Sequence, residues 1–490
     1  MQTSHIPLAV AYGDGIGPEI MEAVLDILSY TQAPVRIETI ELGEKYYQRG
    51  YSSGIPKEAW GIIKRTEGLL KSPITTPQGK GYKSLNVTLR RTLGLYANVR
   101  PCKSYPFVDT KHPTMDLVIV RENEEDLYAG IEHRQTANVY QCLKLISRSA
   151  CERIVRYAFE YAVQNNRKKV TCFSKDNIMK MTDGIFHKVY DEIAVEYPSI
   201  KSEHYIIDIG TARLATRPEI FDVIVTSNLY GDIISDVAAE ISGSVGLAGS
   251  ANIGPNYAMF EAVHGSAPDI AGQNMANPSG LLHALIMMLV HVGLPQQATT
   301  IHNAWLRTME EGIHTGDIYN AKTSTQKVGT KEFAQAVIKR IGQLPQTLPA
   351  VHYEDAPKRA KEAPTTPGIT NVCTGPSCAK KLVGIDVFLD WQQGGPADLA
   401  NMVTPLLKDR LKLQFIDVKG LMVWPGEAPD NVNGDHWRLR FVREGEDKHA
   451  ATADILQLLN SLHEGGLEFV KTEHLYLFDD ELGFTLAQGE

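Results

Sequence analysis

The 19 residues Lys83 to Pro101 read KSLNVTLRRTLGLYANVRP and place Arg90, Arg91 and Arg100 among small polar residues. A guanidinium grips a carboxylate with two parallel N–H donors, so this stretch could clamp a small polycarboxylate. Read alone, a solvated basic helix face is the simpler description. Further chemistry follows downstream. Arg121 ends an apolar run, and Tyr128, seven residues later, is either a general acid or a packing residue. Lys175 stands just past another apolar run; it could move protons if its pKa were lowered, though most lysines so placed are simply exposed. Asp232 and Asp236 are four apart, so they share one helical face. Two like charges at that spacing repel unless neutralised, and a hard divalent cation such as Mg²⁺ or Mn²⁺ would neutralise them. A solvated acidic face is the alternative.

These residues need scaffolding. Leu85, Leu89, Leu93 and Tyr96 fall at helical spacing, so a short helix buries that stripe, points Arg90 away from it and starts at Ser84. Arg100 follows a β-like run and precedes Pro101, which favours extended backbone. Strands are predicted at 6–11, 116–120, 169–173, 204–208 and 221–226, and helices at 149–165, 279–293, 298–312 and 331–343. The aspartate pair lies on a helix that Asn228 can cap, with Ile233, Ile234 and Val237 on its buried side. Asp208 ends its strand. Gly13-Asp14-Gly15-Ile16-Gly17-Pro18 looks like a dinucleotide fingerprint, but the third glycine position is Pro18. It reads as a tight strand-to-helix turn rather than a Rossmann loop. The loop 72–81, with Thr75, directly precedes the arginine stretch and could touch cofactor and substrate together. Gly265, Pro268 and Gly272 forbid regular structure in a second loop, which could wrap an adenosine.

The chain has 490 residues, 49 basic and 58 acidic, a net charge of −9. That length calls for two or three domains, and the acidic balance argues against nucleic-acid or membrane-surface binding. No signal segment is evident and no apolar run is long enough to span a bilayer, so a cytoplasmic protein is expected. Scattered cysteines suggest reduced thiols, and Cys373 with Cys378 read as linker residues. Six prolines interrupt residues 344–380, marking a linker between a domain at 1–343 and one at 381–490. The second carries a β-α-β-β-α-β pattern, a small α+β unit suited to dimer contacts or regulation.

Gly-Asp-Gly-Ile-Gly-Pro-Glu, the arginine stretch, Arg-Glu-Asn-x-Glu-Asp-x-Tyr-Ala-Gly, Lys-x-Asn-Ile-Met-Lys, Asn-x-Tyr-Gly-Asp-Ile-Ile-Ser-Asp and His-Gly-Ser-Ala-Pro-Asp-Ile-Ala-Gly occur in this order. Together they resemble the β-decarboxylating dehydrogenases, the isocitrate and isopropylmalate dehydrogenase family. The resemblance covers residues 5–343. It implies an α/β fold of two subdomains, distinct from a classical Rossmann fold, and a homodimer whose active site is shared between subunits. Ser84-Leu85-Asn86 resembles the members acting on isocitrate, where Ser and Asn bond its γ-carboxylate. The resemblance further implies that Arg90, Arg100 and Arg121 hold carboxylates, and that Asp232 and Asp236, with Asp208 of the other subunit, hold Mg²⁺ or Mn²⁺. Lys175, also from the other subunit, would take part in deprotonating the C2 hydroxyl, and Tyr128 would protonate the enol after CO₂ leaves. The implied reaction is the tricarboxylic acid cycle conversion of isocitrate to 2-oxoglutarate.

Thr75, His264, Gly265, Ala267, Asp269, Ile270 and Asn277 match the family's cofactor positions. Asp269 can accept hydrogen bonds from ribose hydroxyls but would repel a 2′-phosphate, and NADP-using relatives carry Lys-Tyr where this chain has Asp269-Ile270. The expected cofactor is therefore NAD. Residues 483–490 resemble the end of a C-terminal extension in a subgroup of bacterial isocitrate dehydrogenases. Two alternatives remain. One is a dehydrogenase of homoisocitrate, tartrate or isopropylmalate, and the other is a non-catalytic regulatory subunit.

Overall fold

The computed structural model describes residues 5–49, 54–76, 84–354, 378–407, 411–426, 434–445 and 448–487. Most of the predicted linker, Cys373 and the end of the 72–81 loop lie outside them. The chain divides into two units. The first, Met1–Ala129 with Lys144–Gly368, is built on a ten-stranded sheet. In spatial order its strands are Val35–Ile40, Ile6–Ala11, Leu69–Lys71, Ala258–Ala262, Gly249–Ile253, Ala97–Lys103, Asp116–Glu122, Val223–Thr226, Lys169–Ser174 and Lys201–Ile206. Both flanks are parallel, while the three central pairings, from Ala258–Ala262 to Asp116–Glu122, are antiparallel. A classical Rossmann sheet is parallel throughout. Helices cover the sheet and bury near-continuous apolar strands.

The register of the central strands decides what meets at the site. Lys71 pairs with Glu261, and Glu261 with Ser250 on the other side. Asn252 pairs with Asn98, and Asn98 with Arg121. Polar side chains thus lie in two rows across an otherwise apolar sheet.

Two helices carry the predicted chemistry. Leu85–Thr92 begins after Ser84 and buries Leu85 and Leu89, as the periodicity requires. Asn228–Ile241 buries Ile234, Ser235, Ala238 and Ala239. Three local expectations change. Ser227, not Asn228, occupies the N-cap position of the aspartate helix, and its side chain makes no capping hydrogen bond. Ile233 is exposed, because the helix lies on the sheet along its small residues. Asp208 sits in the first turn of helix Ile207–Thr216 rather than ending a strand, where a carboxylate complements the helix dipole. The Gly13 and Gly15 turn adopts positive φ, and a Cβ on Gly15 would lie 1.9 Å from the Ser266 carbonyl. Glycine there lets this turn abut the 264–277 loop.

The second unit comprises Gly130–Leu143 and Ile369–Glu490. Its antiparallel sheet runs Leu421–Trp424, Lys412–Val418, His436–Val442, Lys380–Asp390, Phe469–Phe478 and Glu481–Leu482. Ile385, Val387 and Leu389 join helices Pro396–Val403 and Thr452–Glu464 in one core. The alternate residues carry buried charge instead: Arg440 is fully buried and bidentate on Asp386, both bonds 2.8 Å. The hairpin Glu132–Arg134 and Tyr140–Cys142 belongs to this unit, with Asn138 donating to Asp435 at 2.9 Å. No helix among the described residues is long and apolar enough to cross a membrane.

Candidate active site

A cavity of about 270 Å³ opens where the two helices meet the polar rows of the sheet. It is lined by Ser84, Asn86, Arg90, Arg100, Arg121, Tyr128, Asp232 and Asp236, eight of the predicted residues. Lys71, Ser250 and Glu261 line it too.

Arg90 is not on a solvated face. It is buried, its Nη2 donates to Glu261 at 3.0 Å, and its Nε is buried without an acceptor. The other oxygen of Glu261 meets Lys71 Nζ at 2.7 Å, and Asn252 donates to Glu261 at 2.9 Å. Burial alone would raise the Glu261 pKa, but Lys71 and Arg90 overrule it and hold the carboxyl far below its ordinary value. Arg100 is fixed through Nε to Asn98 Oδ1 at 2.6 Å, and Asn98 and Asn123 both donate to Asn252. Its other nitrogens reach Ser235, Asp232 and Asp236. Arg121 is fully buried and donates to Asn228 and Asp232. Burial and the neighbouring Arg100 and Arg90 lower its pKa to about 10. Gly231 makes room for it, since a Cβ there would stand 2.5 Å from Arg121 Cγ.

Tyr128 donates its phenol proton to Asp232 and lies under the Arg121 guanidinium, 4.8 Å from the ring centroid. Its pKa is raised by burial and by Asp232, with Arg121 opposing, so the phenol holds its proton near neutral pH. The two aspartates differ. Asp232 is pushed up by burial but pulled below its ordinary value by Arg121 and Arg100. Asp236 is raised by burial and by Asp232, with Arg100 opposing. Asp236 keeps 66% of its side chain exposed and meets Arg100 only at 3.5 Å. Two hard oxygen donors on one helix face, one of them open, fit a divalent cation.

Lys175 and Asp208 do not line this cavity. They pair with each other, Nζ to Oδ2 at 2.9 Å, and this contact lowers the Asp208 pKa. Among the cofactor candidates, His264 and Gly265 line the cavity, and His264 Nε2 is buried without a partner. Thr75 bonds Ser266 at 2.9 Å, and its N–H donates to Asp14 at 3.0 Å, which ties the glycine turn, its own loop and the 264–277 loop together. Asn277 is occupied structurally, donating to Asp317 and accepting from Ser279. Ala267 has positive φ, and Asp269 and Ile270 form a short turn away from the cavity.

Lys71, Glu261, Asn98, Asn252 and Ser235 escaped the sequence reading. Lys71 and Glu261 had a signal: single charges inside apolar runs of strands buried on both faces. A separate group, Asp176, His187 and His204, has the donor types for a metal. Its two imidazoles stack at 3.6 Å and 16°, so their in-plane lone pairs run side by side rather than converging. His187 bonds Asp176 at 2.6 Å and His204 bonds Ser174 at 2.8 Å instead.

Residues 7–337 match the isocitrate/isopropylmalate dehydrogenase family, and residues 380–490 match the bacterial isocitrate dehydrogenase C-terminal domain. A Rickettsia bellii protein named isocitrate dehydrogenase [NADP] is 61% identical over 487 residues, 99% of both chains. A Thermus thermophilus protein of the same name is 41% identical, covering 99% of this chain and 96% of that one. The crystal structure of the TT0538 protein, also from Thermus thermophilus, superposes with a TM-score of 0.89 at 40% identity, covering 100% of this chain and 99% of that chain. The names at 61% and 41% identity carry NADP, which overturns the NAD expectation drawn from Asp269 and Ile270. The physical reason lies in exposure. Asp269 is open to solvent, where one like charge is screened to about 1 kcal/mol at contact distance, too little to exclude a 2′-phosphate.

Proposed function

Because the chain belongs to the isocitrate/isopropylmalate dehydrogenase family, we propose that it oxidatively decarboxylates isocitrate to 2-oxoglutarate and CO₂, reducing NADP in the presence of Mg²⁺ or Mn²⁺. The observation that carries this reading is the unpartnered polar surface of the cavity. Arg90 Nε and the Asn86 amide oxygen are both buried without partners, although a buried unpaired polar group costs about 1–3 kcal/mol. An anionic ligand satisfies Arg90 directly, and a half-turn of the Asn86 amide presents its NH₂ to the same ligand.

Charge supports the choice of a tricarboxylate. Lys71, Arg90, Arg100 and Arg121 face Glu261, Asp232 and Asp236, leaving one positive charge over. Isocitrate with three ionised carboxylates and one divalent cation carries one negative charge, so the filled site is neutral. Ser84 and Asn86 stand at the start of the arginine helix and are assigned the γ-carboxylate. An alkyl group there would leave both polar side chains without partners, which disfavours isopropylmalate.

Asp232 and Asp236 would hold the cation, which when bound polarises the C2 oxygen and the β-keto acid carbonyl. Arg90, Arg100 and Arg121 bind and orient the carboxylates. Tyr128, protonated and fixed by Asp232, delivers a proton to the carbon that loses CO₂. Lys175 and Asp208 are assigned to the neighbouring subunit's site in a homodimer, because within one protomer they pair with each other outside the cavity. In this reading residues 1–343, apart from the Gly130–Leu143 hairpin segment that belongs to the second unit, form the catalytic domain, and residues 381–490 make dimer contacts or regulate a cytoplasmic enzyme.

Assaying purified protein with NADP and Mg²⁺ on isocitrate, homoisocitrate, tartrate and isopropylmalate tests this reading. The highest kcat/KM is expected on isocitrate; a higher value on any other acid overturns it.

A further inference from the structure

The proposal of NADP leaves a question of charge. Its 2′-phosphate carries up to two negative charges, and the turn expected to lie beside the adenosine ribose offers Asp269. A cation must come from elsewhere. The segment 314–331 is fastened to the 264–277 loop at several points. Asp317 accepts from Asn277 at 3.0 Å, and Ser244 and Thr315 hold the same carboxylate at 2.7 and 2.6 Å. Thr330 donates its hydroxyl proton to the Ala276 carbonyl at 2.6 Å, and the Lys331 N–H donates to Asn274 at 2.9 Å. The segment brings three lysines: 322, 327 and 331.

The three are not equivalent. Lys331 lies in the first turn of helix Thr330–Ile338 beside Glu332, whose carboxyl is held low chiefly by the Asn274 hydrogen bond and in small part by Lys331. Lys322 lies in a turn, where its backbone N–H bonds Asn320. Lys327 is held more firmly. It pairs with His314 in a short two-stranded ladder, and the adjacent Val328 N–H donates to the His314 carbonyl at 2.9 Å. Its side chain lies over Gly316, where a Cβ would stand 3.3 Å from Lys327 Cε and 3.8 Å from Nζ. The Tyr319 ring is 5.9 Å from Nζ. Gly316 immediately precedes Asp317, the residue bonded to the nucleotide loop. Glycine at 316 therefore admits the ammonium group beside that anchor. Among the described residues no carboxylate lies within ion-pair distance of Lys327.

From this we propose that Lys327 is the residue that meets the 2′-phosphate and gives this site its use for NADP, an inference that rests on the NADP reading above. An exposed ammonium without a counter-ion is a point charge free to pair with phosphate. It offsets the repulsion from Asp269 and does not touch the part of the nucleotide that NAD and NADP share.

The test is binding rather than turnover. NADPH and NADH are titrated by fluorescence into the full-length protein, wild type, K327M and K322M. Wild type should bind NADPH more tightly than NADH. K327M should raise the NADPH Kd by about fivefold, the upper worth of one exposed charge pair, and move the NADH Kd by less than about twofold. K322M should change neither. If wild type prefers NADPH and K327M binds it equally well, the assignment of Lys327 is wrong while the NADP reading stands. Equal weakening of both nucleotides by K327M also overturns the assignment. If wild type binds NADH at least as tightly as NADPH, the NADP reading fails and this proposal with it.

Discussion

Replacing Glu261 with Gln removes the one carboxylate that, among the described residues, pairs with the buried cations Lys71 and Arg90. Lys71 has no exposed side-chain surface, and Arg90 has 9%. Their contacts to Glu261 are 2.7 and 3.0 Å. Breaking a buried pair from one side costs about 3–5 kcal/mol, because the remaining charge is left without a partner. Gln keeps the shape and one acceptor oxygen, which places E261Q near the lower figure, about 3 kcal/mol. The Glu261 carboxyl is held below its ordinary range. Its contribution is therefore present in full at neutral pH and fades only as pH falls below about 4, so the whole penalty applies under assay conditions. With a urea slope of about 3 kcal/mol per molar, the first unfolding midpoint should drop by about 1 M. Arg90 loses its brace as well, so the KM for isocitrate should rise by about tenfold or more, the equivalent of 1.4 kcal/mol. A stability loss under about 0.5 kcal/mol, with KM unchanged, would refute the view that Glu261 sets the charge and position of Arg90.

Other expectations follow from the same geometry. Y128F should lower kcat by about 10²-fold or more while leaving the isocitrate KM nearly unchanged, as steady-state kinetics will read. N86L should lower kcat/KM for isocitrate by about tenfold or more, since an apolar side chain cannot meet a carboxylate; an unchanged value would remove Asn86 from the site. Burial, with Glu125 and Glu124 adding to it, raises Glu122 to about 7. The folded state thus keeps a proton that the unfolded chain loses near pH 4.3, and stability falls as pH rises from about 4.3 to 7. Urea unfolding at pH 5 and pH 8 should show E122Q losing less stability over that interval than wild type. K175M and D232N should each be inactive alone, and mixed dimers of the two should regain activity, because one of the two sites then takes Asp232 from one subunit and Lys175 from the other; no recovery would count against sharing.

Much of this site could be read from residue types and spacing. The Leu85, Leu89 and Leu93 stripe placed the arginine helix, and the four-residue interval of Asp232 and Asp236 placed both on one face lining the cavity. The failed glycine fingerprint matched a sheet with an antiparallel centre. What stayed hidden depended on register. Lys71 meets Glu261, and Asn98 meets Arg121 and Asn252, across strands far apart in sequence, and no local pattern fixes such pairings. Arg90 looked solvated for the same reason, because the carboxylate that permits its burial lies 171 residues away. The cofactor reading failed differently. It gave Asp269 the force of a buried charge, whereas the side chain is exposed and its field is screened.

The most direct test is product stoichiometry. The full-length protein is incubated with isocitrate, NADP and Mg²⁺, and NADPH, CO₂ and 2-oxoglutarate are quantified together. Equal amounts of all three are expected, and none of them when EDTA removes the cation. NADPH formed without CO₂, or no turnover of isocitrate under these conditions, would contradict the proposed reaction.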